Sequence, residues 1–137
     1  MINVYTDGGS RGNPGEAAIG VYITSTDEVF IAGFGQRIGV ATNNVAEYKA
    51  VIGALSYLVS QKDKLEIDNV QFFLDSLLIT NQINGLFRVK NPTLRDLLFE
   101  VRKKEMELNV KIRYSHIPRE QNKKADKLVN NALDNLS

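Results

Sequence analysis

The apolar residues of this 137-residue chain change their period near residue 40. Before that point they fall in three strand-like runs, Ile2 to Thr6, Ala17 to Thr24 and Val29 to Ile38. Gly and Pro clusters separate the first two, and the polar turn Ser25-Thr26-Asp27-Glu28 precedes the third, which is the punctuation of strands joined by short connections. Short connections predict an antiparallel meander. From Asn43 to Ser60 the spacing is helical, with Val51, Ala54, Leu55 and Leu58 recurring on one side. A chain with both periods is neither all-α nor all-β.

The rest of the chain extends the pattern. Val70 to Leu74 is a short, mostly apolar run, as expected of a strand buried on both faces. Ser76 to Asn84 predicts a short helix ending at Gly85. Asn91-Pro92 then breaks the chain, and Thr93 is expected to cap a helix reaching about Leu108. Val110 to Ser115 alternates like a strand, and Glu120 to Leu136 reads as an amphipathic final helix. The order β-β-β-α-β-α-α-β-α implies an α/β fold in a single domain over residues 1–137. Its five-stranded mixed sheet would combine three antiparallel N-terminal strands with two parallel ones, flanked by helices.

Composition narrows the chemistry. With no cysteine and one histidine, the chain has no disulfide or thiolate nucleophile and too few soft ligands for zinc. Any metal would be a hard cation held by oxygen. No run approaches the ~20 apolar residues of a membrane span. Met1 to Asp7 lacks the basic and apolar regions of a signal peptide, so a cytoplasmic location is expected. The net charge of +1 conceals an asymmetry: residues 1–60 carry three basic and five acidic side chains, and residues 61–137 carry 14 basic and 11 acidic. A basic half can bind phosphates even when the whole chain is near neutral.

Four acids stand where solvated charges are unusual. Asp7 ends the first strand and opens Asp7-Gly8-Gly9-Ser10-Arg11-Gly12-Asn13-Pro14-Gly15. It reads either as a turn former or, by alternation with Asn3 and Tyr5, as a carboxylate projecting from the sheet. Glu47 lies in line with Val51, Ala54 and Leu58, near the middle of the stripe that faces the core. It could also close a capping box with Asn44. Asp75 follows an apolar strand directly and is either an N-cap or a functional group at a strand end. Asp126 lies on the shoulder of the last helix's apolar stripe, where it could equally be a solvated charge. Taken together, clustered carboxylates repel and take up protons unless a cation intervenes. Two hard divalent ions ~3.5–4 Å apart would satisfy such a cluster and serve an in-line phosphoryl displacement.

Tyr5-Thr6-Asp7-Gly8-Gly9-Ser10, Gly12-Asn13-Pro14-Gly15, Thr42-Asn43-Asn44-Val45-Ala46-Glu47, Leu74-Asp75-Ser76 and Asn122-Lys123-Lys124-Ala125-Asp126 resemble the motifs of the type 1 ribonuclease H family. The match covers nearly the whole chain in the family's order. It implies a ribonuclease H-like fold and an endonuclease that cuts the RNA strand of RNA–DNA hybrids, leaving a 5′-phosphate and a 3′-hydroxyl. Asp7, Glu47, Asp75 and Asp126 fall on the family's four metal-binding acids, which would hold two Mg²⁺ ions, with Mn²⁺ as a substitute. Glu47 also matches the acid that helps recognise the 2′-hydroxyl. Thr42 resembles part of the family's phosphate pocket for the DNA strand, and Asn13, Asn43 and Asn44 match polar groove positions.

The chain departs from the family's larger members in three places. Their basic, tryptophan-containing protrusion has no counterpart in the short stretch from Ile83 to Leu97, in a chain without Trp. Lys90, Arg95, Arg102, Lys103 and Lys104 would compensate only in part. The family's mobile histidine, thought to assist product release, would fall to Arg119 rather than to His116. A fixed positive charge acts there without proton transfer. Leu77 stands where many members carry a polar groove residue. The expectation is therefore a small monomeric ribonuclease H without an added hybrid-binding domain, similar to the module attached to reverse transcriptases. A catalytically retired nucleic-acid-binding module is the alternative, and a DNA-cutting integrase or junction resolvase with the same core fits the motifs less well.

Overall fold

Nine regular elements follow one another in the computed structural model, which describes residues 1–135. They are β1 (Ile2–Arg11), β2 (Gly15–Ser25), β3 (Phe30–Ala41), α1 (Asn43–Leu65), β4 (Asn69–Leu74), α2 (Leu77–Ile83), α3 (Pro92–Leu108), β5 (Lys111–His116) and α4 (Lys123–Leu133), with a 3-10 turn at Arg119–Gln121 before the last helix. The strands lie in the order β3-β2-β1-β4-β5. β1 pairs antiparallel with β2 and parallel with β4, while β2–β3 is antiparallel and β4–β5 parallel. This is the mixed sheet that the change of period demands.

Alternation along β1 sends Ile2, Val4 and Thr6 to one face and Asn3, Tyr5 and Asp7 to the other. On the first face α1 lays its apolar stripe, and Tyr48, Val51, Ala54, Leu55 and Leu58 join Val4, Ile23, Phe72 and Leu74 in the core. α3 packs on α1 through Leu94, Leu97, Val101 and Leu108. Each such fully buried large side chain contributes roughly 1.5–3 kcal/mol relative to exposure. The second face is crossed by α4, whose buried Ala125 and Val129 lie against β1, β2 and β3. Two glycines set these approaches: a Cβ on Gly8 would strike the backbone of Ala46 and Glu47, and one on Gly20 would strike the Ala125 carbonyl.

The element boundaries depart from the sequence expectations at several points. β1 runs on to Arg11 because Gly8, Gly9 and Ser10 stay in register with Ile19, Ala18 and Ala17 instead of turning. Thr42, not Asn44, caps α1, its hydroxyl accepting from the Val45 N–H at 3.2 Å, so no capping box binds Glu47. Ser76 caps α2, accepting from the Ile79 N–H, which frees Asp75 from that duty. Asn91 caps α3 with Pro92 in the first turn, and Thr93 lies inside the helix. The expected final helix is broken at Asn122 into a 3-10 turn and α4, and its expected end at Leu136 lies outside the described residues. Among the described residues no helix is long and apolar enough to cross a membrane.

Candidate active site

Register places the first two acids side by side. The parallel β1–β4 ladder ends at Thr6↔Leu74, so Asp7 and Asp75 are the next residues on neighbouring strands. Glu47 enters from above, because the Gly8 backbone lets the first turns of α1 approach β1 closely. The Gly8 N–H donates to Glu47 Oε1 at 3.3 Å. Carboxylate oxygens of Asp7, Glu47 and Asp75 lie within 4.8 Å of one another. Asp126, in the first turn of α4, lines the same cleft of about 530 Å³, together with Asn43, Asn44, Ser76 and Arg119. It is not one of the three oxygens that meet most closely.

Electrostatics follow from this crowding. Burial, then the charge of Asp75, pushes the Asp7 carboxyl up to about 7. Glu47 is raised well above the usual carboxylate range by burial first and by the Asp7 and Asp75 charges next. Its Oε2 is buried and has no hydrogen-bond partner. Three converging acids, one with an orphaned oxygen, make a hard-oxygen donor set that fits divalent cations.

Two asparagines, not singled out as site residues from the sequence, hold this arrangement. The Asn122 amide donates to the Thr6 carbonyl at 2.9 Å and to Asp75 Oδ2 at 3.0 Å, tying the start of α4 to both strands that carry acids. The Asn130 amide reaches the Asp126 carbonyl oxygen at 3.1 Å and its carboxylate at 3.4 Å. One helical turn separates each asparagine from Asp126 in sequence, and that spacing was the available signal.

Beside the acids lies a second cleft of about 540 Å³, lined by Asn13, Thr42, Asn44, Lys49, Asn91 and Thr93 among others. Asn44 borders both clefts. Asn13 Oδ1 accepts from the Asn43 N–H at 3.0 Å, and Asn43 Oδ1 from the Ser10 N–H at 2.9 Å, so these two asparagines also brace the loop. Lys49 supplies the cation of this second cleft, one turn after Val45 and invisible to motif reasoning. His116 is exposed at the end of β5 and does not line the acid cleft, whereas Arg119 does.

The region of the missing protrusion is a plain connection. Residues 84–91 join α2 to α3 without a helix and expose Leu86 and Phe87. Of the basic side chains there, Arg95 donates to the Val89 carbonyl, while Arg102 bonds the Ile83 carbonyl and Glu105. Lys104 pairs with Glu107 at 3.7 Å. Arg102 is thus a brace between helices. Leu77 is exposed at the start of α2.

Comparison with known proteins agrees with this geometry. A family model described as reverse transcriptase-like matches residues 5–132. The chain is 39% identical over 134 residues to ribonuclease HI of Halobacterium salinarum, covering 97% of this chain and 64% of that protein. It is 38% identical over 134 residues to a bifunctional protein of Mycobacterium tuberculosis, of which it spans 35% of the length. A ribonuclease H1 isolated from compost, solved in complex with an RNA/DNA hybrid, superposes with a TM-score of 0.94 at 44% identity over 98% of both chains.

Proposed function

The chain belongs to the type 1 ribonuclease H family, and from that premise we propose that it is a metal-dependent endoribonuclease that hydrolyses the RNA strand of RNA–DNA hybrids. The observation that carries this reading is the convergence of Asp7, Glu47 and Asp75 within 4.8 Å, with a buried, unpartnered Glu47 oxygen. Asp7, Glu47, Asp75 and Asp126 would hold two Mg²⁺ ions, with Mn²⁺ able to replace them. When bound, such ions supply Lewis acidity for an in-line attack on phosphorus by water, leaving a 5′-phosphate and a 3′-hydroxyl. The chain's own residues do the rest. Asn122 keeps Asp75 beside Asp7, and the Gly8 N–H keeps Glu47 turned into the cleft. Arg119 stands at the rim to draw the charged product away from the acids. Asn13, Thr42, Asn43, Asn44 and Lys49 line the groove that takes the hybrid, and Glu47 reads the 2′-hydroxyl.

We read the chain as one ribonuclease H domain that acts as a monomer in the cytoplasm. The test is cleavage of a labelled RNA–DNA hybrid with Mg²⁺, beside DNA and RNA duplexes. Asp75→Asn should lose more than about 100-fold in rate, beyond the cost of losing a supporting partner alone. A wild-type rate no higher than that of Asp75→Asn would leave only a retired binding module, and equal cutting of duplex DNA would favour an integrase-like activity.

A further inference from the structure

On the sheet face crossed by α4, below the acids and beyond Asn122, lies a separate cavity of about 460 Å³. That volume falls in the usual range of small-molecule sites, roughly 300–1,000 Å³. Its floor is aromatic. Tyr5 stacks on Phe73 with centroids 4.9 Å apart, and Tyr22 lies 6.4 Å from Tyr5. Its wall is the start of α4, where Lys123 and Lys124 project and the Lys124 ammonium sits 5.2 Å from the Tyr22 centroid.

Two observations mark this cavity as more than a surface hollow. Thr24 and Asn122 line it and are 5% and 1% exposed, and neither Thr24 Oγ1 nor Asn122 Oδ1 has a hydrogen-bond partner. Buried polar atoms are rarely left unpaired, since each costs about 1–3 kcal/mol. The first turn of α4 is also uncapped: the Asn122 amide group donates to Thr6 and Asp75, and its side-chain oxygen accepts from no helix N–H. The N–H groups of Lys123 and Lys124 therefore point out of the helix end beside two ammonium groups, a combination that favours an anion.

The opposite rim carries Glu28, a carboxylate in the β2–β3 turn. It lines the same cavity as Tyr5. The cavity is thus polarised, with an aromatic floor, an anion-binding end at α4 and an acceptor at Glu28. We propose that it is a binding site for a free nucleoside monophosphate whose base carries an exocyclic amino group. The base lies on the Tyr5 ring with its amino group toward Glu28, and the phosphate meets Lys123, Lys124 and the uncapped turn. The exposed Glu120 borders the cavity and limits how many anionic charges it accepts, which suits one phosphate rather than three.

This inference does not rest on the nuclease reading, because the site shares no acid with the metal cluster. The experiment is a titration of ¹⁵N-labelled protein in EDTA with AMP, UMP and inorganic phosphate. AMP should shift the amides of Tyr22, Thr24 and Lys124 saturably and leave those of Asn44 and Glu47 in place. The Lys123→Ala/Lys124→Ala pair should weaken AMP by ~10-fold or more, the loss of a charge-assisted contact, and Tyr22→Phe should retain it. UMP and phosphate should bind more weakly than AMP. Absence of saturable shifts, shifts centred on the acid cleft, or equal affinity for AMP and phosphate would each overturn the proposal. A short single strand ending in the same phosphate distinguishes the source: binding tighter than AMP would assign the cavity to a strand end and overturn the free nucleotide.

Discussion

Asp7 and Glu47 show how much a site can depend on single side chains. Strand alternation and the α1 stripe placed both where a carboxylate can face inward, though a turn at Asp7 and a capping box at Glu47 were equally open from the sequence. Their supports were not legible. A cap is chosen by local backbone angles, and Thr42, Asn43 and Asn44 are all acceptable capping residues, so the sequence could not say that Thr42 takes the role. Asn91 displaced Thr93 in the same way. In EDTA at pH 8, where Asp7 is charged against its neighbours, Asp7→Asn should raise the melting temperature. Each 1 kcal/mol of relieved repulsion corresponds to roughly 3–5 °C for a chain of this size. Asp63→Asn, at an exposed position of α1, should leave it unchanged; calorimetry of both variants decides. Arg119 and His116 make a second pair. Since only Arg119 borders the acids, Arg119→Ala should lower multiple-turnover cleavage several-fold and spare a single turnover. A larger loss in His116→Ala would reverse the assignment.

At the scale of elements, the sequence misled where glycine was read by habit. Gly8 and Gly9 look like a turn after Asp7, yet they continue β1, and Gly8 is the place where α1 comes down on the strand. The same holds across the sheet, where Gly20 lets α4 lie on β2. No local pattern reports such an approach, since the partners lie far along the chain, Ala46 for Gly8 and Ala125 for Gly20. Gly20→Ala should therefore displace α4 and Asp126 with it, costing about 1–3 kcal/mol of stability as an overpacked contact. Cleavage should fall further than stability explains, a difference to be read by comparing activity and melting temperature in the same preparation. Ile23→Val, on the same strand but in the core with α1, should lose about 0.5–1.5 kcal/mol of stability without a disproportionate loss of cleavage. The five-stranded mixed sheet flanked by helices, by contrast, was readable, because the change from period 2 to 3.6 and the apolar VQFFL run leave few other ways to bury both patterns.

The whole molecule balances 17 basic against 16 acidic side chains, but the balance hides a concentrated negative site that only the fold assembles. Folding brings Asp7 from its ordinary 3.8 up to about 7 and raises Glu47 as well. Between those values the folded protein therefore binds more protons than the unfolded one. Stability contributed by this cluster must then fall as pH rises from about 4 to about 7, the reverse of the usual effect of a salt-bridged carboxylate. Subtracting the melting profile of Asp7→Asn from that of the wild type isolates this part from ordinary acid unfolding. In EDTA the difference should grow against the wild type through that window and level off above it. Mg²⁺ replaces the protons, so its stabilisation should be small at pH 5 and larger at pH 8. At ten times its dissociation constant it amounts to about 1.4 kcal/mol by mass action on the folded state. A flat difference profile, or equal stabilisation at both pH values, would mean that the acids do not meet in solution as they do in the fold. A fall in stability that Mg²⁺ reverses only in the wild type ties the charge of the cluster, the cation and the assembled sheet into one equilibrium.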